Sequence, residues 1–219
     1  MNTPLAVTSY GHATVKLENH DLALVIDPGT IAPPAAFERV TAFLVTHEHD
    51  DHLDVDRVAE ALSANTAAHA WTPESAAQRL IRAGVDERQI TIISSESEFD
   101  AAGIAVQPIL GRHATIHPKL PESPNIAYLI DHRILHPGDA FPPLPGNPDI
   151  DVLFLPVSGP WMRISDAIDY VAATHPEIVI PIHDGDLNDI GRTLTDQLGP
   201  LIEGDGRYQR LRTGEPIVF

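Results

Sequence analysis

From Thr46 to Leu53 the chain reads Thr-His-Glu-His-Asp-Asp-His-Leu, a run dense in side chains able to bind a divalent cation. Two histidines spaced i and i+2 in an extended loop, His47 and His49, can point to the same side and chelate one metal. Asp51 and His52 just beyond can reach a second metal nearby. One HxHxDH motif therefore seeds two sites, and neither is complete, because a catalytic zinc takes about three protein ligands and an open position for water. The 219 residues contain no cysteine, so every further ligand must be nitrogen or oxygen, and there is neither a disulfide framework nor a thiolate nucleophile.

The elements around the motif explain how it would be held. It follows the apolar run Ala42-Phe43-Leu44-Val45, which reads as a buried strand, and precedes Val55 to Leu62, which reads as a helix. That puts the cluster on a strand-to-helix loop, where a rigid scaffold presents several ligands to one point. Three later residues stand at strand ends of their own. His113 follows Ile104 to Leu110 through Gly111, Asp139 sits in Leu135-His136-Pro137-Gly138-Asp139, and His183 closes Ile178 to Ile182. Any one of them alone is an ordinary core or loop residue; all three, in this order and each after a strand, make a ligand set.

Strands are expected at Ala6 to Ser9, Thr14 to Leu17, Leu22 to Asp27 and Ala42 to Thr46, followed by strand-helix units. The second of these units is Ala67 to Trp71 with a helix opened by Thr72-Pro73-Glu74, Thr72 as cap and Pro73 in the first turn, with Gly84 as the stop. The second half repeats this order: strands near Ile90 to Ile93, Ile104 to Leu110, Ile126 to Ile130, Arg133 to Leu135 and Val152 to Leu155, then a helix Ser165 to Ala173, a strand Ile178 to Ile182 and a helix Asn188 to Leu198. Two such halves packing their mixed sheets face to face with helices outside form an α/β four-layer αβ/βα sandwich, read here as one domain over residues 1–219. Proline-rich stretches at Pro28 to Pro34, Pro118 to Pro124 and Phe141 to Pro148 each follow a candidate site residue and read equally as connecting loop or as semi-rigid pocket wall.

Composition narrows the partners. A formal charge of −17, from 31 acids against 14 bases, repels phosphate backbones over a Debye length of about 8 Å, so nucleic acid is not an expected partner. No apolar stretch approaches the roughly 20 residues that span a bilayer, and Met-Asn-Thr-Pro lacks the basic and apolar regions of a signal peptide. The expected location is the cytoplasm, and composition says nothing of oligomeric state. Of twelve histidines, His12, His47, His49, His52, His113 and His183 sit beside Gly, Asp or strand ends.

This pattern resembles the metallo-β-lactamase superfamily of binuclear metallohydrolases. In that family an Asp after an early strand is followed by HxHxDH and then by a His, an Asp and a His at the ends of later strands. Here those positions read Asp27 in Ile26-Asp27-Pro28-Gly29, then His47, His49, Asp51 and His52, then His113, Asp139 and His183, and the resemblance covers almost the whole chain. It implies that His47, His49 and His113 hold one metal, that Asp51, His52 and His183 hold the other, and that Asp139 bridges both. It leaves Glu48 and Asp50 out of the ligand set and makes Asp27 an orienting residue behind the HxHxDH loop. Gly11-His12-Ala13-Thr14 is similar to a segment of the branch that includes the L-ascorbate-6-phosphate lactonase and N-acyl phosphatidylethanolamine phospholipase D. His12 is then a pocket residue, a support behind the ligands, or a structural residue. The chain departs from that branch at Pro156-Val157-Ser158-Gly159-Pro160-Trp161, where a further histidine-bearing loop would stand.

The implied chemistry is hydrolysis of a small lactone, ester or phosphodiester. Two divalent ions would lower the pKa of a shared water from 15.7 toward about 7, giving a hydroxide nucleophile without serine or cysteine. Zn²⁺ is the expected metal, and Mn²⁺, Fe²⁺ or Ni²⁺ also suit these donors. Asp139 and Asp51 are the catalytic carboxylates, Asp51 passing a proton to the leaving group. Two ions, two carboxylates and a hydroxide leave roughly one positive charge, so the pocket expected for a small-molecule substrate can attract an anion. Arg112, His117 and Trp161 are the expected pocket residues, with Lys119 and Arg163 as further cations nearby. Two other readings of the same ligands are a redox-active di-iron protein and a non-catalytic metal-binding protein.

Overall fold

Leu24, Val25 and Ile26 are all fully buried, yet they serve two different cores. Leu24 and Ile26 join one cluster with Leu44, Tyr128, Phe154 and Ile180, whereas Val25 joins another with Phe43, Val58, Leu62 and Leu80. Because side chains alternate across a strand, a strand covered on both faces reads as a continuous apolar run, and these do.

The computed structural model describes residues 4–218. In chain order its elements are β1 (Ala6–Ser9), β2 (Val15–Glu18), β3 (Ala23–Ile26), β4 (Ala42–Leu44), α1 (Val55–Ala64), β5 (His69–Thr72), α2 (Glu74–Arg82), β6 (Ile90–Ile92), β7 (Phe99–Asp100), β8 (Ala105–Arg112), β9 (Pro124–Ile130), β10 (Ile134–His136), β11 (Val152–Pro156), α3 (Ile164–Thr174), β12 (Ile178–Ile182), α4 (Asp189–Gln197), α5 (Gly199–Ile202), β13 (Arg207–Tyr208) and β14 (Ile217–Val218). The first sheet runs β14-β1-β2-β3-β4-β5-β6 and the second β13-β12-β11-β10-β9-β8-β7. Each begins with antiparallel pairs and ends with parallel ones, β3 to β6 in the first and β10 to β13 in the second. The two-half order expected from the sequence therefore holds, and the last strand returns to the first sheet by pairing with β1.

Three apolar layers lie between the four layers of structure. The central one joins the two sheets, the second packs α1 and α2 on the outside of the first sheet, and the third packs α3 and α5 on the outside of the second. Asp54 caps α1 by accepting from the Arg57 N–H, and Gly84 stops α2 with φ +93°. The expected cap at Thr72 is corrected. Thr72 ends β5 and its hydroxyl donates to the Pro73 carbonyl, so Pro73 precedes the helix with no side-chain cap. Among the described residues no helix is long and apolar enough to cross a membrane.

The sheets are also pinned together directly beneath the HxHxDH loop. The fully buried Tyr128 of β9 donates its hydroxyl to the Val45 carbonyl at 2.9 Å, and the Ile126 N–H donates to the Thr46 carbonyl at 2.9 Å. Both bonds run from the second sheet to the residues that follow β4, so the ligands of the two halves are brought to one rim.

Candidate metal centre

The site is built outward from Asp27, at the end of β3. Its Oδ1 accepts from the Thr46 N–H at 2.8 Å, and its Oδ2 accepts from the Thr46 hydroxyl at 2.8 Å and from His52 Nδ1 at 2.7 Å. Each of these bonds fixes a proton. With Nδ1–H given to Asp27, His52 keeps its Nε2 lone pair free. With the Thr46 hydroxyl proton given to Asp27, the Thr46 oxygen can accept from His47 Nδ1, 2.9 Å away, which frees His47 Nε2. His113 follows the same logic, since Nδ1 donates to the Ala114 carbonyl at 2.6 Å and leaves Nε2 free.

Those free atoms converge. His47 Nε2 lies 3.1 Å from His49 Nδ1, and His47, His49 and His113 each offer a ligand atom within 4.8 Å of the others. A second group with the same spacing comprises His12, Asp51, His52 and His183. Asp139 lies between the two. Its Oδ2 is 3.2 Å from His113 Nε2 and 3.0 Å from His183 Nε2, and its Oδ1 is 3.2 Å from His52 Nε2. The loop carrying Asp139 is fixed by Asn125, whose Oδ1 accepts the Asp139 N–H while its Nδ2 donates to the Pro137 carbonyl, each at 2.9 Å. Gly138 has φ +63°, and a Cβ there would collide with Asn125 Oδ1 and Thr46. A Cβ on Gly29 would collide with the Asp51 carbonyl, so the Asp-Pro-Gly turn lies directly against the HxHxDH loop.

The donor set fits two cations. His52 Nε2, both ring nitrogens of His183 and Asp139 Oδ1 are buried without a hydrogen-bond partner. Orphaned acceptors held this close are costly unless something positive lies among them. Burial, reinforced by His52, holds His47 well below the ordinary histidine range, and burial with His113 nearby also lowers His49, so both rings are neutral and ready to ligate. Burial works against ionisation of Asp139, yet His52, His113 and His183 outweigh it and hold the carboxyl well below its usual range. Asp51 is lowered too, burial being overcome first by the His12 hydrogen bond and then by the neighbouring His52 ring.

His12, left open by the sequence, is assigned by its two bonds. Nδ1 accepts the Gly185 N–H at 3.0 Å, so the proton of the neutral ring sits on Nε2, which donates to Asp51 Oδ2 at 3.0 Å. An Nε2–H cannot also bind metal, so His12 belongs behind the ligands as a support for Asp51. Trp161 is not merely a wall, because its indole Nε1 donates to Asp139 Oδ2 at 2.9 Å. His117 lines a cleft beside His49 and His113. Arg112 does not line that cleft; its guanidinium pairs with Glu122 on the surface. Lys119 and Arg163 are likewise exposed and outside the cleft. Glu48 accepts from Ser75 and Ser123, and Asp50 pairs with Arg79, so both serve to brace the loop. Thr46 and Asn125 were missed by sequence reasoning. The place of Thr46 immediately before the motif was the one available hint.

Comparison with known proteins identifies the family. Residues 6–183 match the family model described as the beta-lactamase superfamily domain. Protein Rv0786c of Mycobacterium tuberculosis is 38% identical over 82% of this chain and 84% of its own length. A UPF0173 metal-dependent hydrolase of Methanocaldococcus jannaschii is 27% identical over 81% of this chain and 83% of its own. The structure of Igni18, a metallo hydrolase from Ignicoccus hospitalis, superposes with a TM-score of 0.74 at 19% identity over 99% of both chains, a likeness of fold. With the family model covering most of the chain and the His/Asp cluster in place at the strand ends, this protein belongs to the metallo-β-lactamase superfamily.

Proposed function

We propose that the protein is a binuclear metal-dependent hydrolase of small lactones, esters or phosphodiesters. The observation that carries this is the position of Asp139, whose two oxygens lie 3.2 Å from His113 Nε2 on one side and 3.2 Å from His52 Nε2 on the other. His47, His49 and His113 would hold one ion, Asp51, His52 and His183 the other, and Asp139 would touch both. Zn²⁺ suits this all-nitrogen-and-oxygen set. Divalent ions bound there supply Lewis acidity and acidify water at neutral pH.

The chain's own residues supply position and proton control. His12 holds Asp51 through Oδ2, and Asp51, with about a third of its side chain exposed, is the ligand carboxylate that a substrate reaches. It is therefore placed to deliver a proton to the leaving oxygen. Trp161 fixes Asp139 from the opposite side, and Asp27 fixes the rings of His47 and His52 through Thr46 and directly. The His12 contact also supports the likeness of Gly11 to Thr14 to the lactonase and phospholipase branch, since that segment delivers a residue to the site.

The test is a panel of p-nitrophenyl acetate, a simple lactone and bis(p-nitrophenyl) phosphate with metal-loaded protein. The expected result is turnover of at least one member, abolished by chelation and reduced at least about 100-fold by His49→Ala and by Asp139→Ala. Activity unchanged in both variants overturns the proposal.

A further inference from the structure

The cleft above His49 and His113 has a volume of about 580 Å³, and its walls come from the loop between β8 and β9, with Ala114, Ile116, Pro118, Leu120 and Pro121 among them. Two of these are large apolar side chains left in solvent, Ile116 at 40% exposure and Leu120 at 52%. Such exposure costs free energy, and a concave apolar surface beside a reactive centre is where substrate binds.

The loop is built to keep that shape. At its base the His113 N–H donates to the Ser123 carbonyl at 3.0 Å and the Ala114 N–H to the Asp139 carbonyl at 2.8 Å. At its tip the Leu120 N–H donates to the His117 carbonyl at 2.9 Å, and His117 Nδ1 accepts from the Lys119 N–H at 3.1 Å. The Ser123 hydroxyl donates to Glu48 at 3.0 Å, tying the loop to the HxHxDH segment.

Charge decides what fits. No lysine or arginine lines the cleft, and its two carboxylates are engaged, Glu48 by Ser75 and Ser123 and Glu122 by Arg112. A phosphate or carboxylate on the part of the substrate lying along this wall would meet two acids and no lining lysine or arginine. An uncharged chain meets instead the apolar side of the loop, Ala114, Ile116, Pro118, Leu120 and Pro121, on the way down to His49 and His113.

On the hydrolase reading above, we propose that the substrate is a carboxylic ester or lactone whose acyl part is an uncharged aliphatic chain seated against Ile116 and Leu120. Hydrolysis breaks the acyl C–O bond and forms one from the carbonyl carbon to the oxygen of water. One water proton goes to the leaving alkoxide, giving a free aliphatic acid and an alcohol from an ester or a single hydroxy acid from a lactone.

The experiment pairs binding with turnover. Calorimetry of the metal-loaded protein with acetate, butyrate, hexanoate and octanoate reads product affinity, and p-nitrophenyl esters of the same acids read kcat/KM. Both are expected to rise roughly two- to fourfold per methylene over the series. The slope is expected to flatten in the Ile116→Asp/Leu120→Asp double variant and to persist in Leu194→Asp, an exposed position on α4 outside this cleft. Affinity independent of chain length, or a dicarboxylate bound as tightly as the monocarboxylate of equal length, overturns the proposal. A rise in affinity without hydrolysis of any ester leaves the chain-binding cleft standing and removes the hydrolase reading. Equal kcat/KM for short and long esters does the reverse.

Discussion

The fully buried Asp27 carboxylate accepts three hydrogen bonds, and every one of them comes from a candidate metal ligand or the residue before one. Asp27→Ala leaves His52 and Thr46 without their acceptor, so metal affinity should fall about 10- to 100-fold in competition with a chromophoric chelator. Trp161→Phe keeps an aromatic side chain, smaller than indole, and removes the N–H on Asp139. It should lower kcat about tenfold at a cost of about 1–3 kcal/mol by urea denaturation, since a partly buried hydrogen bond and some packed ring surface are lost. The clustered His and Asp residues were legible as candidates because HxHxDH and three strand-end residues have fixed types and spacing. The Trp161 bond was not, because the sequence places Trp161 22 residues from Asp139 and says nothing of which way an indole turns. Asn125 was invisible for the same reason, 14 residues from the N–H it receives.

Between elements, the bond from Tyr128 in β9 to the Val45 carbonyl joins the two sheets at full burial. Tyr128→Phe strands that carbonyl, and the expected cost is about 1–3 kcal/mol by urea denaturation, with a parallel loss of metal affinity because Val45 leads into the motif. Farther out, Asp196 of α4 accepts from Tyr208 of β13 at 2.6 Å and from Arg210 at 2.9 and 3.0 Å. Burial opposes its ionisation, but these two partners hold its carboxyl below the ordinary 3.8. A carboxyl lowered in the fold adds stability above its unfolded pKa and loses it as pH falls through the folded one. Asp196→Asn should therefore lower stability at pH 7 by under about 1 kcal/mol for so exposed a pair, read as a small fall in the thermal midpoint, with the difference vanishing toward acid pH. The long strands and four of the five helices were legible from apolar runs and turn residues. β7, β13 and β14 are two residues each and α5 four, too short for any periodicity, and β14 finds its place only by pairing with β1 from the far end of the chain.

At the scale of the molecule, two sheets from opposite halves of the chain meet so that candidate ligands from each share one rim. His47, His49, Asp51 and His52 come from the first sheet, and His113, Asp139 and His183 from the second. The duplication of element order predicted this meeting, whereas the pocket above it depended on how one loop folds and could not be read from charge alone. On the proposed function, these seven residues form a centre for two ions bridged by Asp139. Elemental analysis of protein purified without added metal, then loaded and desalted, tests it most directly. Two divalent ions per chain in the parent protein, falling to one or none in Asp139→Ala, is the result expected. One ion per chain in both proteins would contradict it.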